Sequence, residues 1–172
     1  PYAIPNIRVQ HILADCTAPL GFWRSVGHSF TGFIVESFVD ELAASAAADP
    51  GAFRLAMLKD QPRHAAVLAA VLEMGGPLGR DAETAAGTGA VVARGVAMVA
   101  SFGSIVAQVA EVVAVPGQRP RVSRIWAAVD CGRVINPDTV VAQIEGGILF
   151  GLSAALFGRI SFSGGRVEQD NF

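Results

Sequence analysis

Lysine is almost missing from this chain: of its thirteen basic residues twelve are arginine and only Lys59 is lysine, a bias that reads as genome composition. Charge of either sign is scarce. Asp, Glu, Lys and Arg make up 16% of the 172 residues, where an ordinary soluble domain has about 25%. With a net charge of −2 and no dense Lys/Arg run, the chain lacks the basic face that nucleic acid requires. Cysteine is limited to Cys16 and Cys131, far apart and without C-x-x-C spacing, so neither a zinc site nor an iron–sulfur cluster can be built from this chain alone. His11, His28 and His64 show no H-x-x-x-H or related spacing, and no metal bound directly by protein ligands is expected. There is also no initiator methionine. The chain starts at Pro1 and stops at Phe172 just after a hairpin pattern, and it reads as an internal piece of a longer polypeptide whose leader, and hence compartment, stays open.

What is abundant is apolar surface, 52% of residues, more than one unit of this length needs for itself. Two stretches compete for a bilayer reading, which needs about 18 uninterrupted apolar residues. Val140 to Phe157 carries Gln143, Glu145 and three glycines, and Gly95 to Ala110 is broken by Ser101, Gly103, Ser104 and Gln108. Both are expected as buried core, with no transmembrane span, packed in part against protein beyond these residues.

Along the chain, Tyr2 to Asp15 alternates, with Ile7, Val9, His11 and Leu13 on one side, and predicts a strand. Gly21 to Ser29 fits neither period and predicts a loop. Over 30–76 the spacing turns helical. Phe30 to Ala48 forms one helix, Asp49-Pro50 caps and opens a second ending near Lys59, and a third runs from about Gln61 to Met74 before Gly75-Gly76-Pro77. Gly79 to Thr88 reads as a loop. Over 89–130, Gly89 to Ala100, Ser104 to Val115 and Arg121 to Val129 predict a small antiparallel sheet with turns at Phe102-Gly103 and Pro116-Gly117. A helix over 137–157 and a hairpin over 158–172 follow. The fold class expected is α+β, an antiparallel sheet with packed helices.

The helix over 137–157 is the least ordinary element. Asn136 is a strong N-cap, Pro137 suits the first turn, and Asp138 sits at the positive end of the helix dipole. Gln143, Gly147 and Gly151 then recur at i, i+4 and i+8, about 6 Å apart along one face, with Gly146 beside them. Each glycine costs roughly 1 kcal/mol relative to alanine, so something gains from the bare face. On spacing alone tight helix-on-sheet packing is the better explanation, and a cofactor docking on that face is the other. Gln143 favours the second, since its amide donates and accepts on a face otherwise without side chains.

The run Val129-Asp130-Cys131-Gly132-Arg133-Val134-Ile135-Asn136-Pro137, with Gln143-Ile144-Glu145-Gly146-Gly147 and Gly151-Leu152 after it, resembles the D-x-G-x-x-x-N-P and Q-x-E-G-G-x-x-x-G-L signature of molybdenum hydroxylase large subunits, the xanthine dehydrogenase and aldehyde oxidase family. Gly21 to Ser29 resembles the F-R-G-x-G loop beside the metal in that family. In this form, and with Glu36 to Ala43 after it, the match is to the isoquinoline 1-oxidoreductase β-subunit type.

The resemblance implies a molybdenum–pterin cofactor in the parent protein and a domain fragment around it. Position by position, it implies that Arg24 lies near the metal and orients substrate. It implies that Gln143 hydrogen-bonds the pterin with Gly146 and Gly147 alongside, and that Trp23 and Val26 shape the substrate pocket. Val26 falls where purine oxidisers carry an aromatic side chain, and Ser25 replaces the loop's first glycine. The implied reaction hydroxylates an aldehyde or N-heterocycle with water-derived oxygen and passes electrons to a small [2Fe-2S] partner subunit, the rest of the large subunit being the other partner. The family's G-Q-G segment and its G-E-P glutamate base are not in these residues, and neither Glu145 nor Glu168 takes that place. The alternative is a non-catalytic packing or assembly module on the same scaffold. Two further motifs fail locally. Gly87-Thr88-Gly89 mimics a dinucleotide fingerprint without a preceding strand, and Trp23 stands where a nucleophile elbow needs glycine.

Overall fold

A computed structural model describes residues 1–15, 21–80 and 89–170. They fall into two units, Pro1–Ile7 with Trp23–Gly132, and Arg8–Phe22 with Arg133–Phe172. Cys16 and the segment 81–88, including Gly87 and Thr88, lie outside the described residues.

The first unit is α+β: helices α1 (His28–Ser45), α2 (Pro50–Ala56) and α3 (Pro62–Gly75), then strands β1 (Gly79–Arg80), β2 (Val91–Ser101), β3 (Ser104–Ala114) and β4 (Arg121–Asp130) in one antiparallel sheet of order β1-β2-β3-β4. The sheet stands where β-branched residues and turn signals predicted it. Ser101 pairs with Ser104 across a two-residue turn in which Phe102 (φ 49°) and Gly103 (φ 81°) are both left-handed, the geometry that matches the twist of a hairpin. Between β3 and β4 the register slips at Glu111/Val112, so that Glu111 faces Arg124 and Val112 faces Val122. The extra residue, Ser123, donates its hydroxyl to the Glu111 carboxylate at 2.7 Å.

Register places Val96, Met98, Ile105, Ala107 and Val109 on one face of the sheet. With Val67, Leu68 and Val71 of α3 they make the core, joined by Leu58, Val39 and Tyr2. α3 comes so close that a Cβ added to Gly75 would lie 2.7 Å from Val109 Cγ1. Gly75→Ala is therefore expected to destabilise the chain by about 1–3 kcal/mol through overpacking, read as a lowered urea midpoint; an unchanged midpoint would show that α3 yields without cost.

Polar groups in this core are paired. Arg54, fully buried, donates from Nε to Glu36 Oε2 at 3.0 Å, from Nη1 to Asp40 Oδ1 at 2.6 Å and from Nη2 to the Glu36 carbonyl at 2.9 Å. Glu36 also accepts from the Tyr2 hydroxyl at 2.9 Å and from the backbone N–H of Met98 at 3.0 Å. Burial, and then the neighbouring carboxylate, raise the Tyr2 phenol well above its ordinary range, so it stays a donor.

Several expectations need correction. Residues 1–15 form no strand: Ile7, Val9, Ile12 and Leu13 are exposed, and alternation without a partner strand gives no ladder. What holds this end is Tyr2 and the Ala3 N–H donated to the Met57 carbonyl at 2.9 Å. α1 starts at His28, inside the predicted loop, and ends at Ser45, where Ala47 (φ 48°) takes the left-handed position before Asp49 caps α2 through Ala52 N at 2.8 Å. Gly79–Arg80, predicted as loop, pairs with β2.

The second unit contains α4 (Pro137–Phe157) and a hairpin of β5 (Phe162–Ser163) and β6 (Arg166–Val167), shorter than the pattern suggested and turning at left-handed Gly164 and Gly165. Ser161 closes its open end, accepting Glu168 N–H at 2.9 Å and donating its own N–H to Gln169 Oε1 at 2.7 Å. α4 was expected to be buried. None of its residues is buried, and it is long and apolar enough to cross a membrane by length and composition.

Candidate functional site

The Trp23–Gly27 segment is a tight turn leading into α1. Val26 donates its N–H to the Trp23 carbonyl at 3.0 Å, and His28 donates to Ser25 at 3.0 Å. Gly27, at the N-cap, offers no side chain, so the turn's own backbone bonds and the Thr31 hydroxyl on the Gly27 carbonyl (2.8 Å) fix this end. Val26 is left-handed at φ 49°, an unfavourable state for a β-branched residue. Trp23, Arg24 and Val26 are all exposed, so the predicted metal-side arginine and both predicted pocket residues lie in one solvent-facing turn.

The Asp130-Cys131-Gly132 step resolves into local chemistry. Asp130 Oδ1 accepts from Gly132 N at 2.9 Å, and Gly132 has φ 78°. An Asp two residues before a left-handed Gly is what such a turn demands. The same carboxylate is gripped at both oxygens by Arg63 of α3, at 2.8 Å each. Sequence reasoning missed Arg63. The Asp-x-Gly turn was legible, but its partner lies 67 residues upstream with no local mark.

Arg63, followed by the Gly132 N–H, pulls the Asp130 carboxyl down to about 2, from about 3.9 in an unfolded chain. Because the folded value is the lower one, the stabilisation is complete above about pH 4 and fades as pH falls through about 2. Urea midpoints between pH 5 and 2 should accordingly fall less steeply in Asp130→Asn than in the unaltered chain; parallel slopes would remove Asp130 from the acid limb.

In the second unit Asn136 caps α4, its Oδ1 accepting Thr139 N–H at 3.1 Å, with Pro137 in the first turn as expected. Gln143 is exposed, and Gly146, Gly147 and Gly151 have no atom within 4 Å of where a Cβ would stand. These glycines differ from Gly75 and from Gly51, whose Cβ would strike Leu72 at 2.9 Å. Packing explains the latter pair. Among the described residues nothing occupies the bare face of α4, and a flat group could reach its backbone with the Gln143 amide, donor and acceptor at once, beside it. These residues fit a pterin edge. The predicted site residues thus form two groups, Trp23, Arg24 and Val26 in the first unit and Gln143, Gly146 and Gly147 in the second. Among the described residues no cluster of three His, Cys, Asp or Glu side chains could hold a metal ion.

The α+β scaffold agrees with the sequence comparison: residues 39–172 match the molybdopterin cofactor-binding domain, and the chain belongs to that family. It is 38% identical, over 99% of its length, to the isoquinoline 1-oxidoreductase subunit beta of Brevundimonas diminuta. It is 32% identical, over 91% of its length, to the membrane-bound aldehyde dehydrogenase [pyrroloquinoline-quinone] of Gluconacetobacter polyoxogenes. The chain spans 22% of each of these relatives.

Proposed function

We propose that this chain is part of the large subunit of a molybdenum hydroxylase and supplies one wall of its cofactor site together with the loop that meets substrate. The observation that carries this reading is the open face of Gly146, Gly147 and Gly151 beside an exposed Gln143, in a chain of the molybdopterin cofactor-binding family. When bound, the molybdenum–pterin group supplies the redox and oxygen-transfer chemistry. Gln143 holds the pterin edge by its amide, and Gly146 and Gly147 let the ring system approach the helix backbone. Arg24, permanently charged and planar, orients the oxygen of an aldehyde or the ring of an N-heterocycle and stabilises negative charge gathering there. Trp23 and Val26 border that substrate.

The proton-accepting glutamate and the [2Fe-2S] partner that takes the electrons lie outside these residues, so the 172 residues alone are expected to turn nothing over. α4 is read as facing cofactor and protein and not lipid, because Gln143, Glu145 and a glycine stripe are poorly suited to a bilayer.

The test is metal and cofactor analysis of the parent protein purified with its partner. One molybdenum and one pterin per large subunit, with oxidation of aldehyde or N-heterocycle, is the expected result. Pyrroloquinoline quinone in their place would move the assignment to the cofactor in the second relative's name. Neither cofactor would leave the second reading, a packing or assembly module, which draws on the apolar side chains α4 leaves exposed, such as Leu149 and Phe157.

A further inference from the structure

Three described residues other than glycine have positive φ: Val26 at 49°, Ala47 at 48° and Phe102 at 49°. Ala47 lies in the turn just after α1, a position where a small residue tolerates that conformation. Val26 and Phe102 are different, because one is β-branched and the other bulky, and the helix that follows the Val26 turn touches the Phe102 turn. Val26 lies two residues before His28, and the His28 ring lies edge-on to Phe102, with centroids 5.9 Å apart and planes at 72°. The tip of the β2–β3 hairpin therefore stands against the first residue of α1, the next in sequence after the Trp23–Gly27 turn, within the first unit.

The turn at Phe102 and Gly103 is of the kind that asparagine or glycine enters without strain. A phenylalanine there costs stability, and burial returns little, since Phe102 is 81% exposed. Among the described residues the His28 edge is the ring contact that Phe102 makes. Strain of this kind, retained where folding does not benefit, collects at ligand-binding turns. An exposed, rigidly carried ring recognises flat apolar surface by offset stacking or edge contact.

We propose that Phe102, set by its contact with His28, is a further specificity-determining residue of the Trp23–Gly27 site and recognises the planar aromatic part of a substrate. The proposal rests on the hydroxylase reading and narrows it to aryl aldehydes and aromatic N-heterocycles over aliphatic aldehydes.

The experiment compares the cofactor-loaded parent protein with its Phe102→Asn and Phe102→Tyr forms on benzaldehyde, isoquinoline and acetaldehyde. Phe102→Asn, a residue at ease in the turn, is expected to lower kcat/KM for the two aromatic substrates about tenfold, the upper range for one aromatic contact. Acetaldehyde should stay within about twofold, with unchanged molybdenum content and an unchanged or raised Tm, while Phe102→Tyr keeps the aromatic preference. Equal losses on all three substrates with a lowered Tm would overturn the proposal and assign the ring to packing against the rest of the parent polypeptide. No change on any substrate would also overturn it. The unaltered parent is measured first, and if it lacks molybdenum and activity the hydroxylase reading itself fails and the proposal with it. An active parent indifferent to Phe102 defeats the proposal alone.

Discussion

Gly147→Ala in the parent protein is expected to lower molybdopterin occupancy severalfold while making the cofactor-free chain more stable by about 1 kcal/mol, the gain of alanine over glycine inside a helix. The opposite signs come from one fact: a Cβ at Gly147 meets no atom within 4 Å. Nothing in the described residues resists the methyl group, so helix propensity alone acts on the empty chain. A flat cofactor lying on the backbone there would be displaced by the methyl. Gln143→Ala should also reduce occupancy, by removing the amide, yet it should change stability little because Gln143 is exposed. Molybdenum and pterin per folded protein, measured beside thermal unfolding of cofactor-free material, separates the cases. Were both variants to keep full metal content, the bare face of α4 would be a packing surface after all.

Arg54→Ala is expected to have the largest effect on stability, a loss of about 3–5 kcal/mol, because it leaves the buried Glu36 carboxylate without its cation. That carboxylate would still face the Tyr2 hydroxyl and the Met98 N–H, two neutral donors in place of a guanidinium. Glu36→Gln should cost less, since Arg54 keeps Asp40 at 2.6 Å and the carbonyl of Pro50 at 3.2 Å. Denaturant unfolding of the three chains gives the comparison; a loss below about 1 kcal/mol for Arg54→Ala, the range of exposed pairs, would mean that water reaches Glu36.

The contrast between these two regions explains what could be read from the sequence. Helix starts and turns carry their instructions within a few residues: Asp49 before Pro50, Asn136 before Pro137, Phe102 with Gly103, Gly164 with Gly165. Those elements lie where the pattern placed them. The D-x-G and N-P parts of the family signature were legible for the same reason, being a turn and a cap whose bonds close over two or three residues. The Glu36–Arg54–Tyr2 cluster and the Arg63–Asp130 pair join residues 18 to 67 positions apart, and nothing local marks them. The false strand over residues 1–15 is the same limit in reverse. Alternation at Ile7, Val9 and Leu13 describes a segment fit for a sheet, but pairing needs a neighbour that sequence periodicity does not supply. The bare face of α4 could be counted from its glycines, whereas the openness of that face, and its difference from the tight approach at Gly75, needed coordinates.

The bond from the Met98 N–H to Glu36 bears on the behaviour of β2 toward other chains. A strand with unpaired amides along one side is a template onto which a foreign strand can add, and aggregation begins at such borders. Among the described residues β1 pairs with β2 at two positions, Gly79 opposite Arg94 and Arg80 opposite Ala93. Farther along, a carboxylate on α1 accepts the Met98 N–H, so that this amide is already paired and is not offered to an incoming strand. One acidic side chain thus pairs with a buried arginine, accepts the Tyr2 hydroxyl and occupies a backbone amide on this border of the sheet.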